Sequence, residues 1–244
     1  MPLRPRSKIR RSLRKLSKWL HYQYRVSRRT VVTIEEVRVR VGRHMSPGVE
    51  RAVSKGGYAR DELRLIGMVL SPGDVVLEVG AGLGLISAFC AKRLGSNRVF
   101  AFEANPDLEP RIRETYALNA VEPTLEMCAI RATAGRVTIY RSGHLLTSSI
   151  VRPGDGSRPI EVPGKALSYV VEKVRPTLLL VDLAGAEAEL FDRAQLPGVK
   201  KIVLELHERV IGALKARRVR AALAALGFQE DPRFSSREHF VLRR

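Results

Sequence analysis

The chain has 244 residues, 45% of them hydrophobic and 6% aromatic, with a formal net charge of +18, a length suited to one large domain or a domain with an appendage. No apolar run reaches the roughly 18 residues of a membrane span, and the two cysteines, Cys90 and Cys128, lie in apolar surroundings without a metal-like partner at short spacing, as reduced core thiols do. Residues 1–30 hold eleven Lys or Arg and no Asp or Glu, which leaves +7 for the remainder, so the basicity belongs largely to the N-terminal arm.

Within that arm Ile9, Leu13, Leu16 and Leu20 fall on one side of a helical wheel, with Trp19 nearby. An amphipathic basic helix of this kind suits an anionic membrane surface, a nucleic acid, packing on the domain as a cap, or an organelle transit segment. The arm lacks the apolar centre of a secretory signal, so the expected location is cytoplasmic, with attachment at a membrane periphery as one use of the arm.

From residue 31 the composition becomes ordinary. Residues 30–34 and 37–41 are rich in β-branched side chains and predict two short strands. Residues 42–55, with Pro47 and Gly48, read as a looser stretch. Gly57 to Glu62 leads into a helix whose apolar positions are Leu63, Leu65, Ile66 and Val69, and Ser71-Pro-Gly-Asp74 turns the chain into the next strand.

That strand, residues 75–79, runs into Gly80, Gly82 and Gly84, after which Ile86, Phe89, Cys90 and Leu94 recur at helical spacing. A strand passing through a glycine turn into a helix is the first βα unit of a nucleotide-binding α/β sheet. The dinucleotide fingerprint needs a third glycine where Leu85 stands. The pattern is instead Glu78-Val-Gly-Ala81-Gly-Leu-Gly84, which resembles motif I of class I S-adenosylmethionine (SAM)-dependent methyltransferases. Glu78 discriminates, because a carboxylate beside the turn suits a cofactor bearing an ammonium group and would repel a pyrophosphate. Glycines alone say less, since a tight turn needs them sterically.

Residues 98–103 predict a second strand, and it ends in Glu103, 19 residues beyond Gly84, where a doubly wound sheet places the carboxylate that accepts from a ribose diol. Asn105-Pro106 opens a turn and a helix over residues 108–119. Residues 124–130 predict a third strand. Residues 135–140 and 160–163 read as strands around a loop with Thr147-Ser-Ser149, either a substrate cover or a surface hairpin. A helix over residues 165–174 then precedes a buried strand, residues 177–182.

Asp182-Leu-Ala-Gly-Ala-Glu187, followed by Glu205-Leu-His207 at the end of the next strand, resembles the FkbM-type methyltransferases, whose pattern at the first place is D-x-E-G-x-E. The likeness begins near Gly57 and takes in Tyr58, Glu62, the glycine turn, Phe102-Glu-Ala-Asn-Pro106 and the Thr-Ser-Ser segment. It implies SAM as cofactor, a hydroxyl acceptor on a saccharide, glycolipid or natural product, and site residues of two kinds. Glu62, Glu78, Gly80, Ala81, Gly82, Gly84, Glu103 and Asn105 are expected at the cofactor; Asp182, His207 and Glu187 are expected at the chemistry. His207, with an ordinary pKa near ~6.5, is the better poised base for neutral pH than Asp182 near ~3.9. The middle acid of the pattern is Ala184 here, which puts acceptor choice or activity in question. Acids at a strand end and a helix start also satisfy orphan amides in a purely structural role.

A helix over residues 212–226 is expected to turn Leu214, Val219, Leu223 and Leu226 inward, and residues 228–230 and 239–242 to close the sheet. The expected fold is an α/β Rossmann-like three-layer sandwich, mainly parallel with an antiparallel C-terminal strand, with an arm and lead-in over 1–56 and a methyltransferase domain over 57–244. Two other readings stand beside it: an RNA-binding or RNA-methylating protein, opposed by few aromatics beside the basic run, and a catalytically silent SAM-fold interaction protein.

Overall fold

The structure, a computed structural model, describes residues 30–42, 45–141, 157–235 and 238–244. The basic arm and the Thr147-Ser-Ser149 segment lie outside the described residues. Twelve strands are present among those described: β1 (Val31–Ile34), β2 (Val37–Arg40), β3 (Val76–Val79), β4 (Val99–Glu103), β5 (Thr124–Met127), β6 (Ala129–Arg131), β7 (Gly135–Arg141), β8 (Arg158–Ala166), β9 (Leu178–Val181), β10 (Lys201–Glu205), β11 (Gln229–Glu230) and β12 (His239–Arg243). The helices are α1 (Pro47–Ser54), α2 (Arg60–Val69), α3 (Leu85–Leu94), α4 (Glu109–Leu118), α5 (Leu167–Val174), α6 (Glu187–Leu190), α7 (Glu208–Ile211) and α8 (Ala213–Ala225).

Seven strands form the central sheet in the order β11-β12-β10-β9-β3-β4-β5. The five from β10 to β5 run parallel, and β12 is antiparallel to β10. This is a doubly wound, Rossmann-like order, with the strand sequence reversing direction at β3. Alternate strand residues feed two cores, as parallel strands buried on both faces must. Val76, Ala101, Leu178 and Val203 pack with α2, α3 and α4; Leu77, Phe102, Leu179 and Ile202 pack with α5 and α8.

Several local expectations are corrected. Residues 47–54, read as loose, form α1, because Ser46 caps it by accepting from the Val49 amide at 3.3 Å and Pro47 sits at the first turn, where its missing N–H is no loss. The β1–β2 hairpin and α1 bury Ile34, Val37, Val39 and Val53 in the core beneath α2 and α3. The single strand expected over 124–130 is two: β5 ends the central sheet, and after a bend at Cys128 β6 joins β8 and β7 in a separate sheet. Residues 165–166 complete β8 rather than open α5. On α8 the buried stripe is Ala216, Val219 and Leu223, while Leu214 is 63% exposed; it lies outside the i, i+3, i+7 stripe those three residues define.

Candidate functional site

Register brings the chemistry to one edge. Val79 pairs with Phe102 and Val181, and Val181 pairs with Leu204, so the next residues of four neighbouring strands, Glu103, Gly80, Asp182 and Glu205, stand in one row at the carboxyl edge. Ligands of open α/β sheets bind outside that edge. Antiparallel β12 adds its first residue, His239, opposite Glu205.

The glycine turn is fastened to β4. The amides of Gly80 and Ala81 donate to the Phe102 carbonyl at 2.9 and 3.1 Å, and the Gly82 amide donates to the Glu103 carboxylate at 2.9 Å. The Asn105 amide donates to the other Glu103 oxygen at 2.8 Å, and the Asn105 side chain caps the following turn. Glu103 is thereby fixed in one orientation with acceptor capacity remaining on both oxygens. At Gly80, φ is +97°, and a Cβ would lie 1.8 Å from the Asp182 carbonyl oxygen. Only glycine allows this approach, which presses the turn against Asp182. At Gly84, with φ +74°, a Cβ would lie 2.9 Å from Ile112 and 3.0 Å from Tyr116 as α3 begins.

Beneath the turn Glu78 is 2% exposed, with the hydroxyl and amide of Ser87 its nearest donors and neither in full hydrogen-bond geometry. The nearby Ser87 hydroxyl is engaged by Tyr116 at 2.8 Å. Burial pushes the Glu78 carboxyl up to about 8. Glu62, from α2, is 9% exposed and also held well above the ordinary carboxylate range by burial and by Asp182, Glu205 and Glu78. Tyr58 lies among the same carboxylates, and burial with their charge raises its hydroxyl.

The segment after Asp182 folds around Glu187. Its Oε1 accepts from the amides of Leu183 at 3.3 Å and Gly185 at 3.1 Å, and meets His207 Nδ1 at 2.8 Å. Glu187 is fully buried, and its Oε2 has no partner among the described residues. The opposite ring nitrogen, Nε2, faces Asp182 Oδ1 at 3.8 Å and Glu205 Oε1 at 3.6 Å. The bond to Glu187 raises His207 to about 9, above the ordinary imidazole value of ~6.5. Asp182 is raised from its ordinary value, chiefly by burial, and Glu205 is raised to about 7, again chiefly by burial. Nuclear magnetic resonance titration of ligand-free protein should place His207 near pH 9, and Glu187→Gln should move it down toward ~6.5, because the neutral amide no longer favours the imidazolium.

Ala184 has φ 48° and is exposed, so the departure from D-x-E-G-x-E leaves the Asp182, Glu187 and His207 arrangement intact. The structure brings Glu78, Gly80, Ala81, Gly82 and Glu103 to the turn, Asn105 behind Glu103, Gly84 at the helix start, and Glu62 with Asp182, Glu187 and His207 beyond Gly80. Sequence reasoning passed over Glu205 and His239 as site residues. Glu205 ends a strand and was legible by position; His239 reaches the edge only because β12 runs backwards. A cleft of about 400 Å³ opens beside them, lined in part by Glu205, His207, Val210 and Glu238.

A family described as "Methyltransferase FkbM domain" matches residues 78–230. The chain is 30% identical over 205 residues to the AMB antimetabolite synthetase AmbE of Pseudomonas aeruginosa, covering 66% of this chain and only 9% of that much longer protein. It is 26% identical over 212 residues to the 31-O-demethyl-FK506 methyltransferase FkbM of Streptomyces tacrolimicus, covering 70% of this chain and 80% of the relative. Among solved structures it is similar to a Pyrococcus abyssi tRNA (uracil-54, C5)-methyltransferase in complex with S-adenosyl-L-homocysteine, with TM-score 0.48 and 15% identity over 88% of this chain and 42% of that one.

Proposed function

Because the chain belongs to the FkbM methyltransferase family, we propose that it carries a methyl group from SAM to a hydroxyl oxygen of a saccharide, glycolipid or natural-product-like acceptor. The observation that carries this reading is the contact of Gly80 with the Asp182 main chain, which sets a glycine turn and an Asp182, His207 and Glu187 group side by side on one sheet edge. The residues present suit SAM: Glu78 is a buried acid whose oxygens lack a partner in full hydrogen-bond geometry, fit for an ammonium group, and Glu103 is pre-oriented for a ribose diol. The name of the Streptomyces relative also describes methylation at oxygen.

Bound SAM supplies an electrophilic methyl group on a sulfonium. The protein's tasks are to align the acceptor, exclude water and accept its proton as the oxygen attacks. We assign the proton to Asp182, whose carboxylate faces His207 Nε2 at the mouth of the cleft, and Glu187 orients the His207 ring. The cleft beside Glu205 and His207 admits the acceptor.

The test is a panel of saccharides, glycolipids, macrolide-type alcohols and RNA with labelled SAM, the product identified by mass spectrometry and magnetic resonance. An O-methyl group on a small-molecule hydroxyl is the expected result. Transfer to RNA alone would establish the nucleic-acid reading instead.

A further inference from the structure

We propose that Asp182, Glu205 and His207 hold a divalent metal cation at the mouth of the cleft. Each offers one ligand atom, and the three lie within 4.8 Å of one another. His207 Nε2 stands 3.8 Å from Asp182 Oδ1 and 3.6 Å from Glu205 Oε1, beyond hydrogen-bond length. Ligands about 2.0–2.2 Å from one ion lie roughly 3.0–3.6 Å apart, so a small inward movement closes the three on a cation.

Three further observations point the same way. Glu187 grips His207 Nδ1 at 2.8 Å, the carboxylate support that fixes a metal-binding imidazole with its other nitrogen toward the ion. Glu205 turns its second oxygen to His239 Nε2 at 3.7 Å, so neither oxygen is consumed by a hydrogen bond to a histidine. Glu62 is nine-tenths buried and places an oxygen within 4.8 Å of ligand atoms of Glu205 and His239. Glu62, Asp182 and Glu205 gather three carboxylates around two imidazoles, an excess of negative charge that a cation would balance. A mixed carboxylate and imidazole set suits Mn²⁺, Fe²⁺ or Zn²⁺ better than a soft ion.

The cation's part in transfer rests on the function proposed above; its binding does not. A cation held by Asp182, Glu205 and His207 would supply Lewis-acid polarisation of the acceptor hydroxyl, and the Asp182 oxygen not used as a ligand would take the proton.

The experiment uses the full chain, stripped with chelator and titrated with Mn²⁺ without SAM, following free Mn²⁺ by electron paramagnetic resonance. One ion per chain is expected. Glu205→Gln and His207→Gln should each weaken it at least tenfold, and Glu187→Gln about 10- to 100-fold through the lost support of the ring. Glu189→Gln, an exposed carboxylate on α6, should change nothing. Circular dichroism checks that each variant folds, with Asp182→Asn in reserve. No bound Mn²⁺, or binding unaltered in both Glu205→Gln and His207→Gln, overturns the site. The two readings fail separately: transfer at full rate in chelator removes the cation's part in transfer and keeps the methyltransferase, whereas Mn²⁺ binding with no acceptor methylated keeps the cation and removes the proposed acceptor chemistry.

Discussion

Asp182→Asn is expected to lower single-turnover methyl transfer by ~10²- to 10⁴-fold, the usual contribution of a positioned proton acceptor, while leaving affinity for S-adenosylhomocysteine unchanged. Asp182 is the first residue beyond β9, fixed by the close passage of Gly80 against its main chain, with its carboxylate facing His207 Nε2. An alcohol is not ionised at neutral pH, so the proton must leave as the oxygen attacks. Asparagine keeps the shape and forfeits the charge. His207→Gln in the same background should add little, because groups that act as a unit are not additive. Single-turnover rates with labelled SAM and the acceptor found in the panel decide it; wild-type rates in both variants would show that alignment alone carries the reaction.

Gly80→Val should have the second large effect, on stability and cofactor affinity together. The substitution forces a β-branched residue to φ +97° and a Cβ into the Asp182 carbonyl oxygen. Strain at positive φ and the overpacked contact together cost about 2–5 kcal/mol, lowering Tm by roughly 5–15 °C for a chain of this size. Because the turn and Asp182 can separate only together, SAM affinity should fall with stability. Gly48→Ala is the control, since nothing lies within 4 Å of the Cβ it would add. Thermal melts with and without S-adenosylhomocysteine measure both quantities.

What could be read in advance follows from how strongly each segment declares itself. The unit from β3 to α3 is legible because apolar period changes across three glycines, two of which, Gly80 and Gly84, meet a steric demand, and Glu103 because strand length and turn length fix its place. α1 was hidden by Pro47 and Gly48, which read as turn residues although Ser46 and Pro47 are also a helix start. The split between β5 and β6 has no local mark, since Cys128 is as apolar as its neighbours. Leu214 illustrates the limit of spacing alone: the α8 stripe runs through Ala216, a small residue that hydrophobicity underweights. At the site, the types of Asp182, Glu187 and His207 were legible, but the 2.8 Å contact that shifts His207 to about 9 joins residues twenty apart in sequence. His239 depends on strand direction, which periodicity does not encode.

The central claim is that the edge built from Gly80 to Gly84 and Glu103 is a SAM site, and isothermal titration of S-adenosylhomocysteine into wild type and Glu103→Ala tests it most directly. Glu103 already holds the Gly82 and Asn105 amides, and hydrogen bonds to a charged group contribute about 1.5–3 kcal/mol. The expected result is one site per chain in the wild type and binding about ten- to a hundredfold weaker in the variant; no binding by the wild type, or an affinity unchanged in Glu103→Ala, would contradict it.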